Sequence, residues 1–105
     1  MGAHFRHRDE ASLFEQWLQR AIEDCLDVDL LIYQAGADPH VNDPLGKVLT
    51  GVQMAKRDHA VFSAFQGRPL VWNLAGGYQR DVNGGIEPVL KLHRTTAQIQ
   101  NIYQP

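Results

Sequence analysis

The chain has 105 residues, 44% of them hydrophobic and 21% charged, which suits one small globular domain and excludes a disordered or low-complexity chain. Ten Lys and Arg against 12 Asp and Glu leave a net charge of −2, a balance that argues against a general nucleic-acid binder. A single cysteine excludes an intramolecular disulfide or a CxxC site. Residues 1–10 are charged and have no apolar h-region, and the longest apolar run, Leu30–Tyr33, is far too short to cross a bilayer. A cytoplasmic protein with no membrane partner is therefore expected, folded as one domain over residues 1–105.

Ser12 and Glu15 stand at capping-box spacing, and Phe14, Trp17, Leu18, Ala21, Ile22, Cys25 and Leu26 follow at three-four intervals. The pattern predicts an amphipathic first helix of about four turns, with Cys25 as a small apolar residue on its stripe. Asp29–Ala35 is a nearly continuous apolar run ending at Gly36, the pattern of a strand buried on both faces of a parallel sheet. Residues 36–46 are rich in Gly, Pro and Asp and predict a loop. A second helix is expected from Thr50, capped by Gln53, through Met54, Ala55, Val61, Phe62 and Phe65 to a stop at Gly67. Pro69–Ala75 repeats the buried-strand pattern and runs into Gly76 and Gly77. After a polar stretch, Pro88 opens a third helix carried by Val89, Leu92, Thr96, Ile99 and Tyr103.

The expected order is helix, strand, helix, strand, helix, an α/β arrangement whose centre is a βαβ unit with a small parallel sheet and flanking helices. Two strands are few for such a sheet, because parallel strands need cover on both faces and neighbours on both edges. The chain thus reads as a piece of a larger α/β architecture. The exposed edges and apolar strands predict self-association into a dimer or a pair of dimers, with Phe14, Trp17 and the Leu70–Leu74 strand as candidate contacts.

Ligands of open α/β sheets bind beyond the carboxyl ends of the strands. Two loops leave such ends, one offering Asp38, His40 and Asp43, the other Tyr78, Arg80 and Asp81. Adjacent parallel strands would bring a metal-ligating carboxylate opposite a phenol able to donate to a developing oxyanion. Asp-, Gly- and Pro-rich loops are more often plain turns, and Asp43 before Pro44 reads as a turn former. His4 and His7 form a bare H-x-x-H without a partner carboxylate, and His59 and His93 lack ligand spacing. The glycines at 76, 77, 84 and 85 do not make a dinucleotide fingerprint, so no nucleotide cofactor is expected.

The string Leu31-Ile-Tyr-Gln-Ala-Gly-Ala-Asp-Pro-His40, then Asp43-Pro-Leu-Gly46, resembles the histone deacetylase and acetylpolyamine amidohydrolase superfamily. So do Leu49-Thr50, Arg57-Asp58, Trp72-Asn-Leu-Ala-Gly-Gly-Tyr-Gln79, Glu87-Pro-Val-Leu90 and His93-Arg-Thr95, in order from Leu13 to Tyr103. The resemblance implies a three-layer fragment of an arginase/deacetylase-like fold and zinc-dependent hydrolysis of the acetyl amide of acetyl-lysine or an acetylated polyamine. It makes Asp38, in Gly-Ala-Asp, the third zinc ligand. It makes Tyr78, in Gly-Gly-Tyr, the group that polarises the substrate carbonyl and then stabilises the oxyanion. Gly76 and Gly77 then form the substrate-tunnel loop.

The family draws its other two zinc ligands from an upstream Asp-x-His motif and its general base from a His-His pair, and this sequence has neither upstream of Asp38. Asp38-Pro-His40 imitates the first motif but stands at the third-ligand position. Catalytic zinc requires three protein ligands, so weak or absent zinc and no turnover are expected of this chain alone. Two readings follow: a segment of an active deacetylase, completed by a complementing N-terminal segment, or a stand-alone oligomeric, non-catalytic derivative of that family.

Overall fold

In a computed structural model, the described residues are Phe5 and residues 7–105. His4 of the H-x-x-H pair lies outside them, and His7 is exposed. A short 3-10 turn (Arg8–Glu10) leads into α1 (Ala11–Asp24), followed by β1 (Leu31–Ala35), α2 (Gly51–Ala64), β2 (Leu70–Leu74) and α3 (Glu87–Tyr103). The strands are parallel, with Leu31 beside Leu70, Tyr33 beside Trp72 and Ala35 beside Leu74. The element order and the α/β class are those expected.

Local chemistry explains most of the boundaries. Thr50 caps α2 as anticipated: the Gln53 N–H donates to its hydroxyl at 3.2 Å, and its own N–H donates to the Gln53 side chain at 2.9 Å. Beyond α2, Gly67 takes a left-handed φ of 77° that other residues adopt only with strain. Pro88 occupies the first turn of α3, and Glu87 sits where the helix dipole favours an anion. The expected cap of α1 is wrong. Ser12 lies inside α1, because the preceding 3-10 turn carries the chain into the helix at Ala11.

Burial along the strands corrects a second expectation. Ile32 and Val71, paired in the register, are 65% and 53% exposed, and Gln34 and Asn73 beside them are also exposed. Leu31, Tyr33, Ala35, Leu70 and Trp72 are the more buried set. The sheet therefore has one open face and one covered by the helices, which gather on that side and leave only Leu74, 62% exposed at the end of β2, beyond their cover. Leu18 and Ile22 of α1, with Cys25 just past its end, join Val61 of α2 and Phe65 just past that helix over Leu31, Tyr33 and Leu70. From α3, Gln100 accepts a 2.9 Å hydrogen bond from the Trp72 indole of β2. Phe62 and Phe65 are fully buried in this layer, each worth on the order of 2 kcal/mol of apolar transfer. A second cluster, Ala11, Val48, Leu49 and Met54, anchors the loop before α2. Phe14 and Trp17, expected as intermolecular contacts, are half-buried and meet Phe5 edge to face at 5.5 and 6.2 Å between centroids. No helix among the described residues is long and apolar enough to cross a membrane.

Candidate active site

The loops leaving β1 and β2 lie side by side because a backbone hydrogen bond ties them just beyond the strands: the Ala37 N–H donates to the Gly76 carbonyl at 2.6 Å. This bond places Asp38 against the second loop. A Cβ on Gly36 would stand 2.7 Å from Asp38 Oδ1. One on Gly76 would stand 2.6 Å from Asp38 Oδ2 and 3.3 Å from Tyr78 Cε2. A side chain on either glycine would displace the carboxylate, so the carboxylate of Asp38 and the edge of the Tyr78 ring both occupy the space left beside the bare Cα of Gly76. Asp38 is half-buried and Tyr78 is 46% exposed, so both groups are open to solvent. The structure thus brings together the two residues that the sequence separates by 40 positions. Gly77 serves packing as well, since a Cβ there would meet Val89 Cγ1 at 2.8 Å and Ala37 Cβ at 3.1 Å.

The first loop holds its own shape. The Val48 and Leu49 amides donate to the Pro39 carbonyl at 3.0 and 2.8 Å, and Val41 donates back to Leu49 at 2.7 Å. Lys47 takes a left-handed φ of 65° where this turn closes. His40 is engaged within the site region: its Nδ1 accepts from the Asn42 N–H at 3.1 Å and lies 3.3 Å from the Gln79 amide. Burial lowers the His40 pKa, and the nearby Asp43 carboxylate opposes that shift. Arg80 is exposed and donates to the Gln79 carbonyl. Asp81 is exposed too, and closes a turn by accepting from Asn83 and Gly85.

Asp43 does more than turn the chain. It is fully buried, its Oδ1 accepts from the Leu45 N–H at 2.9 Å, and its Oδ2 accepts from the Tyr78 N–H at 2.8 Å. The first of these bonds is the turn that Asp before Pro announces. The second, across 35 positions, has no signature in the sequence.

Beneath the first loop lies a buried polar network. Arg57 and Asp58, 7% and 2% exposed, form an ion pair at 3.0 Å, and Arg57 Nη1 donates to the Gly36 carbonyl at 2.8 Å. Asp58 also accepts from the Tyr33 hydroxyl and from the Thr96 hydroxyl, the latter at 2.6 Å. Burial pushes the Tyr33 phenol far above its ordinary value, so it remains a donor. His93, also buried, has its pKa lowered by desolvation and by the Arg57 guanidinium, against the pull of Asp58. His59 ties α2 to the last turn of α3 through a 2.9 Å contact with the Tyr103 hydroxyl. Sequence reasoning missed this network as a support for the site. The signal was present: Asp58 and Val61 follow Met54 at four and seven positions on the inner stripe of α2, and a charge on such a stripe requires partners.

A cleft of about 420 Å3 opens nearby, lined by residues including His40, Met54, Asp58, Gln79, Lys91 and Thr95, and it touches neither Asp38 nor Tyr78. A half-buried carboxylate can ligate a hard or borderline cation, and a solvent-open phenol can donate to a carbonyl oxygen. Among the described residues, no group of three His, Cys, Asp or Glu side chains converges. Among those residues Asp38 is the ligand the expected zinc site would find, and they do not by themselves supply the three protein ligands that a catalytic zinc requires.

The chain is similar to an uncharacterized protein of Picosynechococcus sp., 32% identical over 90 residues, a match that covers 80% of this chain. The chain spans 30% of the length of that relative. No protein-family profile matches it, and no solved structure matches it.

Proposed function

We propose that this chain is the C-terminal segment of a zinc amidohydrolase of the histone deacetylase and acetylpolyamine amidohydrolase class. In this reading it contributes Asp38 as one metal ligand and Tyr78 as the donor to the acetyl carbonyl. The observation that supports it is the placement of the Asp38 carboxylate and the edge of the Tyr78 ring side by side where Gly76 lacks a Cβ, at the carboxyl ends of the two parallel strands. Tyr78 then donates its phenolic proton in a hydrogen bond to the carbonyl oxygen and holds the charge that develops there. The rest of an arginase/deacetylase-like fold would supply the missing ligands and general base, together with the layer that closes the open sheet face.

The test is a chimera in which residues 13–103 replace the matching segment of an active zinc-dependent acetyl-lysine deacetylase. Turnover is expected, with Tyr78→Phe lowering it by about two to four orders of magnitude while the metal content stays intact. A folded, zinc-loaded chimera that does not turn over, or whose Tyr78→Phe form turns over as well as the parent, overturns the reading. The isolated chain is expected to hold zinc weakly and to leave acetyl-lysine and acetylpolyamine substrates untouched. Stoichiometric zinc with turnover abolished by Asp38→Ala would contradict that and indicate a site pooled between copies.

The open face of the sheet favours a second reading, a stand-alone oligomeric and non-catalytic protein. Ile32 and Val71 form an apolar patch on the open face, between strand edges that no strand pairs among the described residues, and a second copy would cover both. Light scattering after size exclusion distinguishes the two: a dimer or tetramer that Ile32→Lys converts to monomer supports this reading, and a well-folded monomer at micromolar concentration removes it.

A further inference from the structure

We propose that Asp43 is a positioning residue for Tyr78, a latch that fixes the second loop on the first and so sets where the phenol stands relative to the Asp38 carboxylate. This inference rests on the reading that Tyr78 acts on the substrate carbonyl.

The argument begins with burial. Asp43 is 0% exposed, and the ion pairs recorded among the described residues are Arg57 with Asp58 and Arg94 with Glu87, so no cation neutralises it by direct contact. A buried carboxylate of this kind must be satisfied by N–H donors. Its two oxygens divide the task. Oδ1 completes a local turn at Leu45, which an asparagine would also complete, whereas Oδ2 reaches 35 positions away to the Tyr78 N–H. Two acceptors facing two donors is what a carboxylate provides and a carboxamide does not, because one end of the amide can only donate.

Tyr78 requires such a hold. Its side chain is 46% exposed, so packing alone fixes it poorly, and it follows the Gly76–Gly77 pair, the most permissive backbone in the site. The Ala37 N–H pins Gly76 on one side of that pair, and Asp43 pins Tyr78 on the other. With both pins in place, the ring is held against Gly76 beside Asp38. Without the second, the phenol swings on two glycines, and a displacement of about 1 Å at a reacting group costs on the order of a hundredfold in rate.

Amide hydrogen exchange followed by NMR on the full chain tests the latch directly. In the wild-type protein the Tyr78 amide is expected to exchange at least about tenfold more slowly than an unprotected amide, despite the exposure of its side chain. In Asp43→Asn that protection is expected to fall and the Tyr78 proton shift to move, while Leu45 and the core amides of Val61 and Phe62 keep theirs. A Tyr78 amide that is unprotected in the wild type, or equally protected in Asp43→Asn, overturns the proposal. If Asp43→Asn does not fold, the wild-type measurement alone decides. In the chimera, Asp43→Asn is expected to lower kcat by about tenfold or more with KM within about twofold, and to add little to the loss already caused by Tyr78→Phe. Should Tyr78→Phe leave turnover unchanged, the functional reading fails while the exchange data still judge the latch.

Discussion

Replacing Arg57 with alanine probes the support of the site most sharply. The guanidinium is 7% exposed, pairs with a carboxylate that is 2% exposed, donates to the Gly36 carbonyl at 2.8 Å, and lies 5.7 Å from the centroid of the Tyr33 ring. Its removal leaves Asp58 buried with two hydroxyl donors and no cation, and strips the Gly36 carbonyl of its donor. Breaking one side of a buried pair costs about 3–5 kcal/mol, against a total of about 5–15 kcal/mol for a typical domain. At about 4 °C or more per kcal/mol for a domain of this size, the lower bound is a fall of about 12 °C in Tm. Tyr33→Phe removes a single donor to the same carboxylate and is expected to cost about half as much. Thermal unfolding followed by circular dichroism measures both, with the exposed Lys56→Ala on the same helix as the control. If Arg57→Ala melts within about 3 °C of that control, the network is not what holds α2 to the first loop, and the reasoning fails.

The cap of α2 gives a smaller effect. Thr50→Ala is expected to lower stability by about 1 kcal/mol, read as a shift of about 4 °C in Tm, and Thr50→Ser to restore most of it; an unchanged Tm would mean that packing alone starts this helix. Acidification acts through His93 and His40, whose folded pKa values are both depressed below the unfolded value of about 6.5. The unfolded chain therefore binds these protons more readily, so the stability they contribute is full above pH 6.5 and is lost as the pH falls below it, by at most about 1.4 kcal/mol per pH unit for each histidine. Denaturant titrations at pH 7.5 and 5.5 check this, and His93→Gln should reduce the difference to the part that His40 contributes; an undiminished loss in the variant shows that His93 carries none of it.

The elements were legible where the local chemistry was strong. Thr50 with Gln53, Gly67, and Pro88 after Glu87 mark boundaries that the backbone then adopts, and the two apolar runs pair as parallel strands in the expected order. What the sequence concealed was long-range. An apolar residue such as Ile32 or Val71 looks the same in a run whether it faces helices or water, so the open face could not be read from composition. Asp43 announced its turn to Leu45 but not its bond to Tyr78, and Arg57-Asp58 reads as ordinary helix polarity until the stripe of α2 is seen to carry it inward. The pairing of Asp38 with Tyr78 was accessible because it depends only on two adjacent parallel strands and the loops that leave them.

The two strands also matter to the chain before it has folded. Leu31–Ala35 and Leu70–Leu74 carry no charge and no proline, and each has one edge with no strand beside it among the described residues. Lysines, bulges or prolines at such edges normally prevent one chain from adding its strand to another, and neither strand has them. Their correct pairing requires closing a connection that includes the whole of α2, which delays the sheet and leaves both strands open to neighbouring molecules at high concentration. Refolding yield should therefore depend on protein concentration more steeply than the stability of the folded state would suggest, with fibrous or amorphous aggregates growing from the same two segments that form the sheet.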